Sequence, residues 1–273
     1  TIQVDVRGEQ LGRRHPIDLG LVGTVKDTAS ALLPLLDRSD DRRHLDDSLD
    51  HYRRTRTKLD ELATPSRSKA PIHPQYLARL VDETASDDAV FIPDVGSPVV
   101  WAARYLTMNG RRRLIGSFAH GSMANALSQA VGAQVAHPGR QIVALAGDGG
   151  LTMLLGELVT LIQNRLPVKL VVFNNSSLNF VELEMKAAGF VTYGTDLVNP
   201  NFADVANAMG IYARRVEHSA DLPDAVADVL GHDGPALLDV VTERQELSIP
   251  PNITAEQLKG FTLYALRSVM SGR

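Results

Sequence analysis

Short apolar runs alternate with helix-like segments from residue 72 onward. The runs consist mainly of Val, Ile, Leu and Ala and occupy residues 89–92, 141–146, 168–173, 212–216 and 236–241. Runs of this length indicate strands that are buried on both faces of a sheet. Their alternation with helices predicts an α/β fold, in which a parallel sheet carries helices on both faces.

The start of the chain predicts the closing part of another sheet domain. A strand pattern ends at Asp5, and residues 21–23 follow as a short apolar piece. Thr24 or Asp27 can then cap a helix that runs to Leu36.

A charged connecting segment follows this region. Residues 38–70 are rich in Asp and Arg, and their leucines recur at roughly helical spacing, which predicts an amphipathic connecting helix. Residues 64–71 contain Pro and Ser and indicate a linker. At the other end of the chain, Thr254 can cap a helix that reaches Met270. We therefore expect the end of a second α/β domain at 1–37, a connecting helix and linker at 38–71, and the main domain at 72–273.

Composition narrows the function classes only slightly. The 273 residues carry a formal net charge of -4, with 44% hydrophobic and 22% charged residues, which is ordinary for a globular protein. This charge gives no reason to expect nucleic acid or an anionic lipid as partner. The sequence contains no cysteine, which excludes disulfides, zinc–thiolate sites and thiol catalysis. No apolar run approaches the length that spans a membrane.

Two strand patterns end in polar residues that can meet at one point. One strand leads into the Gly-Asp-Gly-Gly sequence at 147–150, and the next leads into Asn174 and Asn175. Residues 151–165 between them predict one helix. Because ligands of open α/β sheets bind beyond the carboxyl ends of the strands, Asp148 and Asn175 can converge. Carboxylate and amide oxygens suit Mg²⁺, and the glycines allow a diphosphate to approach the backbone.

Each of these residues also has a plainer interpretation. Asp148 is a typical helix N-cap, and Asn175 is a typical turn residue at a strand end. Asn174 is expected to support the turn. The Asp-Val-Gly sequence at 94–96 ends another strand and is expected at the same edge of the sheet. The pairing of Asp148 with Asn175, in register with two apolar strands, favours the metal site.

These residues carry a resemblance to a known family. The run at 131–150, closed by Asn174 and Asn175, resembles the signature of the thiamine diphosphate enzymes. Residues 116–126 and 166–175 look like the pyruvate oxidase branch and, within it, the quinone-dependent pyruvate dehydrogenases of bacteria. The resemblance covers nearly the whole chain.

The resemblance implies a set of site residues. Asp148 and Asn175 would bind Mg²⁺ with their side chains, and Ser177 would add its backbone carbonyl. The expected cofactor contacts are Gly121, Ser122, Met123, Asp148, Gly149, Gly150, Asn175, Ser176, Ser177, Leu178, Asn179, Phe180 and Val181.

Three of the implied roles compete with other interpretations. A helix beginning at 121–123 would direct its N–H groups at the cofactor, and Met123 would wedge beneath the cofactor to bend it; Met is also a common gap filler. Phe180 would move into the active site and aid electron transfer to flavin, or it is a core residue. Asp5 would contact FAD, or it is a solvated strand end.

The implied activity is the oxidative decarboxylation of pyruvate to acetate and CO₂. The cofactors would be thiamine diphosphate, Mg²⁺ and FAD, and the electrons would pass to a quinone. The resemblance also implies a homotetramer in the cytoplasm, held at the inner face of the membrane by a tail beyond this chain. Because the chain begins inside a strand pattern without Met, we expect a piece of a longer enzyme that binds diphosphate weakly and turns nothing over alone.

Two alternatives remain open. Acetolactate synthase shares the metal motif and also uses FAD, although the Phe180 segment and residues 249–264 look more like the quinone-linked enzymes. A non-catalytic cofactor-binding module is the second alternative. The retention of both Asp148 and Asn175 argues against it.

Overall fold

The computed structural model describes residues 1–66, 71–244 and 254–270. Residues 67–70 of the predicted linker and residues 249–253 of the C-terminal stretch lie outside the described residues. The chain divides into two compact units, Thr1–Arg56 and Thr57–Arg273. The predicted three-part division at 1–37, 38–71 and 72–273 stays a prediction.

The first unit contains a small parallel sheet and a capped helix. Strands β1 and β2 pair in parallel, and they span Ile2–Asp5 and Leu19–Val22. Helix α1 spans Val25–Leu32, and the Thr24 hydroxyl accepts a hydrogen bond of 3.0 Å from the Asp27 N–H, as predicted.

Two helices lie near the boundary between the units, and the first of them ends earlier than predicted. The predicted helix end at Leu36 is wrong, because a 3₁₀ turn, Leu33–Leu35, replaces the last turn of α1. Pro34 lies in that turn and has no N–H with which to continue the α-helical hydrogen bonds. Helix α2, Arg43–Leu62, is the predicted charged connecting helix and crosses from the first unit into the second.

A six-stranded sheet forms the centre of the second unit. Its strands are β3 Val90–Pro93, β4 Arg113–Leu114, β5 Ile142–Gly147, β6 Lys169–Asn174, β7 Tyr212–Val216 and β8 Ala236–Val241. They lie in the order β4-β3-β5-β6-β8-β7, and all five pairings are parallel. This confirms the predicted α/β fold. Strand β4 escaped prediction because two residues are too short to show a pattern.

Helices connect these strands and cover both faces of the sheet. They are α3 Pro74–Thr84, α4 Ser97–Tyr105, α5 Asn125–Ala136, α6 Asp148–Met153, α7 Leu158–Gln163, α8 Asn179–Ala187, α9 Phe202–Ala208, α10 Leu222–Gly231 and α11 Ala255–Met270. None of the helices in the described ranges has both the length and the apolar character needed to cross a bilayer. The predicted cytoplasmic location and membrane contact stay predictions.

Successive residues of each strand feed two separate cores. On β5, Val143 and Leu145 pack on one face with α3, α4 and α10, whereas Ile142 and Ala144 pack on the other face with α5, α7 and α9. All four side chains are fully buried. Each buried Val, Leu or Ile contributes roughly 1.5–3 kcal/mol to stability, so both faces hold the sheet in place.

The predicted single helix over 151–165 is wrong. Helix α6 ends at Met153, a 3₁₀ turn spans Leu155–Glu157, and α7 begins only afterwards. Gly156 lies at the break, and glycine costs about 1 kcal/mol relative to alanine within a helix. The break therefore separates the short helix α6, which begins at Asp148, from α7.

The strand order places a switch point between β3 and β5. The chain leaves β3 to form β4 on one side and then crosses to form β5 on the other side. The connections that follow these two strands lie on opposite faces of the sheet, so a crevice opens beyond their carboxyl ends. The residues at 94–98 and 147–150 border this crevice.

Helix α11 packs against α8 through a close backbone approach. A Cβ atom on Gly260 would overlap the carbonyl oxygen of Ala187 and would lie 2.6 Å from its carbonyl carbon. The Lys186 ammonium also lies 5.3 Å from the centre of the Tyr264 ring. The absence of a side chain at residue 260 therefore allows the two helices to meet.

Gly260→Ala should separate α11 from α8. The new methyl group meets backbone atoms that cannot rotate away, so we expect the free energy of unfolding to fall by about 1–3 kcal/mol. Gly132→Ala is the matched control, because it also lies within a helix but its Cβ would meet nothing within 4 Å. That change should raise stability by roughly 0.5–1 kcal/mol. Equal effects of the two variants in denaturant unfolding would contradict the close approach.

Candidate functional site

A cleft opens at the carboxyl ends of β3, β5, β6 and β8. It holds about 620 Å³ of empty space, part of it open to solvent. Its walls come from the residues that follow these strands, together with Met123: residues 94–98, 147–150, Asn175, 177–181 and 242–243.

Most of the predicted site residues line this one cleft. They are Met123, Asp148, Gly149, Gly150, Asn175, Ser177, Leu178, Asn179, Phe180 and Val181. Gly121 and Ser122 are exposed on the turn before Met123, and Ser176 is exposed in the turn after β6. Asp5 ends β1 in the first unit, and its contact with FAD stays a prediction.

Asp148 joins the ends of two strands. Its Oδ1 accepts a hydrogen bond of 2.8 Å from the Gly149 N–H. Its Oδ2 accepts bonds of 2.7 Å from the Ser176 N–H and 2.8 Å from the Asn199 amide. Asp148 is the first residue of α6, not its N-cap, which is Gly147. The carboxylate therefore reaches across to the turn after β6.

Two effects act on the pKa of Asp148 in opposite directions. Burial raises this pKa above its ordinary value, because desolvation penalises the charged form. The hydrogen bonds from Gly149, Asn199 and Ser176 lower it, because they stabilise the carboxylate. The net result is a raised pKa, so Asp148 is a buried acid whose charged form is disfavoured by burial and only partly restored by the surrounding donors.

The turn after β6 has a fixed shape. The Asn175 Oδ1 accepts a hydrogen bond of 3.0 Å from the Ser177 N–H, and Ser176 adopts a left-handed φ of 55°. A neighbouring segment pairs with the turn: the Leu178 N–H donates to Thr195 at 2.8 Å, and the Leu197 N–H donates to Ser176 at 3.0 Å. The amide oxygen of Asn175 and the backbone of Ser177 are therefore held together beside Asp148.

Glycines form the floor of the cleft next to Asp148. A Cβ on Gly149 would lie 2.7 Å from Leu178 Cδ2, and one on Gly150 would overlap the Asp94 carboxylate. Neither position can carry a side chain without movement of its neighbours. Both glycines are buried, so the cleft is lined here by backbone that lies close to Leu178 and Asp94.

The donor set fits one hard cation that is shared with a phosphate group. Asp148 supplies one carboxylate, Asn175 one amide oxygen and Ser177 a backbone carbonyl. Mg²⁺ is commonly held by one or two carboxylates and takes its other ligands from water and substrate phosphates. Across the described ranges, no cluster of three or more His, Asp or Glu side chains is placed to hold a metal without such help.

Comparison with known proteins identifies the family. The family model described as "Thiamine pyrophosphate enzyme, C-terminal TPP binding domain" matches residues 94–240. The chain belongs to the thiamine pyrophosphate enzymes. The match begins directly after β3 and closes within β8, so it covers β5, β6 and most of β8.

Three relatives illustrate the similarity of this thiamine pyrophosphate enzyme. A putative thiamine pyrophosphate-containing protein, YdaP, from Bacillus subtilis (strain 168) is 32% identical over 98% of this chain and 46% of its own. The chloroplastic acetolactate synthase 1 of Nicotiana tabacum is 30% identical over 91% of this chain and 39% of its own. The acetolactate synthase large subunit of Porphyra purpurea is 30% identical over 90% and 42%.

The chain spans less than half the length of these three relatives. The resemblance to the thiamine diphosphate enzymes is thus confirmed at the level of the family and its cofactor. The narrower assignment to the pyruvate oxidase branch, with FAD and a quinone, stays a prediction.

Several polar residues near the site were not predicted from the sequence. Asn199 donates to Asp148, and the fully buried Asp239 accepts a bond of 2.9 Å from Asn174. Asp239 interrupts an apolar strand run. Because a buried acid needs a partner, this position could have been predicted to take part in polar contacts. Asn199 lies in a loop without any pattern. Asn174, expected to support the turn, bonds instead to Asp239 and Asn199.

Buried Glu182 supports the other side of the turn. It accepts hydrogen bonds of 2.6 Å from the Ser177 hydroxyl and 2.7 Å from Lys186, and Arg244 lies 3.2 Å away. Burial acts to raise its pKa, but the bonds from Lys186, Ser177 and Arg244 outweigh burial and lower the pKa. The Glu–Lys spacing of four residues on α8 is a pattern that could have indicated this pair.

The approach to α5 differs from the prediction. The helix begins at Asn125, after Ala124 in a left-handed conformation with φ of 62°, and not at 121–123. Ala124 offers no side-chain cap, and Asp94 replaces one by accepting a bond of 3.1 Å from the Ala126 N–H. Met123 therefore lies on the turn, with its Cε 3.8 Å from the Cβ position of Gly149.

Phe180 is not a core residue. Its side chain is 37% exposed and lines the cleft on α8. Its neighbour Val181 also lines the cleft and is exposed. The proposed movement of Phe180 and its role in electron transfer stay predictions.

Asp94 is a buried acid with one unsatisfied oxygen. The side chain is 2% exposed, and its Oδ2 has no hydrogen-bond partner within the described part of the chain. Burial raises the pKa of Asp94 from 3.8 to about 6, and backbone N–H groups at the start of α5 oppose the rise. The neutral form is therefore favoured in the folded protein over a wider pH range than in the unfolded chain.

Asp94→Asn should gain stability relative to the native chain as the pH rises. In the native chain, the raised pKa of Asp94 adds to the free energy of unfolding. This added stability is fully present below the unfolded pKa of 3.8 and is lost as the pH rises through about 6. Asparagine does not ionise, so the difference in unfolding free energy should grow by about 3 kcal/mol between acid and neutral pH. Denaturant unfolding across this range measures it, with exposed Asp204→Asn as the matched control. A flat difference would contradict a buried, unpaired carboxyl group.

Proposed function

We propose that this chain forms the diphosphate- and Mg²⁺-binding part of an acetolactate synthase-like enzyme that acts on a 2-oxo acid such as pyruvate. The observation that carries the proposal is the hydrogen bond from Ser176 to Asp148, which joins the two polar strand ends. The acetolactate synthase names of two relatives support the reaction class.

Each part of the site has a proposed task. Asp148, Asn175 and the carbonyl of Ser177 hold Mg²⁺, and the backbone of Gly149 and Gly150 lies against the diphosphate. When bound, thiamine diphosphate stabilises the negative charge that remains after the substrate loses its carboxylate.

The remaining wall residues shape the reacting end of the cleft. Leu178, Phe180 and Val181 present apolar surface, as does Trp101 beneath them. Such a lining excludes water from a reactive centre and strengthens the electrostatic interactions inside it. Met123, whose Cε lies 3.8 Å from the Cβ position of Gly149, supports the body of the cofactor.

The oxidase-type reaction is the second candidate. It rests on Phe180, an aromatic side chain on the cleft wall that is partly exposed and free of the core. In this version the enzyme converts pyruvate and one water molecule to acetate and CO₂ and passes two electrons through FAD to a quinone. The tetramer, the membrane contact and the FAD contact of Asp5 belong to the same proposal.

Asp148→Ala should abolish cooperative binding of thiamine diphosphate and Mg²⁺. The change removes the one side-chain carboxylate of the metal site, so we expect the apparent dissociation constant to rise by about 100-fold or more. Titration calorimetry on the chain measures this without any need for turnover. Asp204→Ala, an exposed acid on α9, is the matched control and should bind normally. Normal binding by Asp148→Ala would exclude the proposed site.

Product analysis separates the two reactions. The natural protein that carries these residues is supplied with pyruvate, thiamine diphosphate and Mg²⁺ under anaerobic conditions. Acetolactate formed without any change in flavin absorbance supports the synthase. Acetate formed with bleaching of flavin supports the oxidase. Pyruvate that is not consumed would contradict both.

A further inference from the structure

Asn199 contacts the proposed metal ligand from behind. Its side-chain amide donates one hydrogen bond of 2.8 Å to Asp148 Oδ2 and another of 2.9 Å to Asn174 Oδ1. It is not among the residues that line the cleft. Both amide hydrogens are thus directed at oxygen acceptors on the ends of β5 and β6.

The acceptor Asn174 is itself fixed in orientation. Its side-chain N–H donates 2.9 Å to Asp239 Oδ1, so its oxygen must face Asn199. Asp239 is fully buried, and its Oδ2 accepts bonds of 2.6 Å from Arg215 and 3.2 Å from the Phe202 N–H. The carboxyl group of Asp239 at the centre of β8, paired with Arg215, therefore determines which way the amide of Asn174 points.

These contacts form one continuous chain from the edge of the sheet to the cleft. Arg215 on β7 holds Asp239 on β8, which orients Asn174 on β6, which orients Asn199. Every link joins a donor to an acceptor, and the charge of Asp239 is balanced by Arg215. Asn174 and Asp239 are buried and Arg215 and Asn199 are half-buried, and their hydrogen bonds to one another favour one geometry of the network.

We propose that Asn199 is a positioning residue for Asp148, and that this chain of side chains sets the direction in which Asp148 meets the metal. The proposal rests on the proposed function of Asp148. Within the described ranges, the Asp148 carboxylate accepts hydrogen bonds from the backbone N–H groups of Gly149 and Ser176 and from one side chain, that of Asn199. Removing it leaves the carboxylate held by these two backbone N–H groups alone, without altering any residue that lines the cleft.

The identity of the cation makes this role measurable. Mg²⁺ requires nearly ideal octahedral geometry at short distances, whereas Ca²⁺ accepts irregular arrangements of oxygen ligands. A carboxylate that is held less firmly should therefore lose more affinity for Mg²⁺ than for Ca²⁺. A general loss of folding would weaken both cations equally.

The test measures cation affinity of Asn199→Ala at saturating thiamine diphosphate. Loss of an outer contact to a metal ligand typically lowers affinity by about 10–100-fold, so we expect a loss of this size for Mg²⁺ and a smaller one for Ca²⁺. Asn199→Leu keeps a bulky side chain but has no donors, so it should behave like Asn199→Ala. The matched control is Asn207→Ala, which also loses two hydrogen bonds, both to the backbone of Ala213, away from the cleft.

The outcomes separate this inference from the proposed function. If Asn199→Ala binds Mg²⁺ as tightly as the native chain while Asp148→Ala does not bind, the positioning role is refuted and the metal site stands. Equal losses of Mg²⁺ and Ca²⁺ affinity, matched by Asn207→Ala, would also refute it. If Asp148→Ala binds normally, the metal site itself is wrong.

Discussion

The hydrogen bond from the Ser176 N–H to Asp148 is the interaction on which the rest of the site depends. It spans 2.7 Å between the residues that follow two neighbouring parallel strands. Because β5 and β6 run in the same direction, their carboxyl ends meet at one edge, and a single side chain bridges them. The bridge places a carboxylate, an amide oxygen and glycine backbone around one cleft, and carboxylate and amide oxygens suit a metal ion that is shared with a diphosphate.

Burial of acidic groups is the cost of this arrangement. Asp148, Asp94 and Asp239 are all nearly inaccessible to water, and each is treated differently by its surroundings. Asp148 accepts three hydrogen bonds, and Asp239 pairs with the Arg215 guanidinium. Asp94 keeps one oxygen without a hydrogen-bond partner in the described part of the chain, and burial raises its pKa to about 6. A buried carboxylate without a partner is expensive, so such groups tend to mark functional regions. All three lie at the cleft or in the chain of contacts behind it.

The sequence predicted those features that depend on local pattern. Apolar runs identified five of the six strands, and polar residues at two strand ends located Asp148 and Asn175 at one edge. Features that depend on tertiary contacts escaped. Asn199 lies in a loop without a periodic pattern, and its role is visible only from its hydrogen bond to Asp148 in the folded chain. The start of α5 at Asn125 was missed because its cap, Asp94, is supplied from another strand.

The most direct test is a crystal structure of the chain with thiamine diphosphate and Mg²⁺. We predict one metal ion bound by Asp148 Oδ1 or Oδ2, the Asn175 amide oxygen and the Ser177 carbonyl. The diphosphate should lie against Gly149 and Gly150, with Met123 beneath the cofactor. A diphosphate bound outside this cleft, or a metal ion that contacts neither Asp148 nor Asn175, would contradict the account.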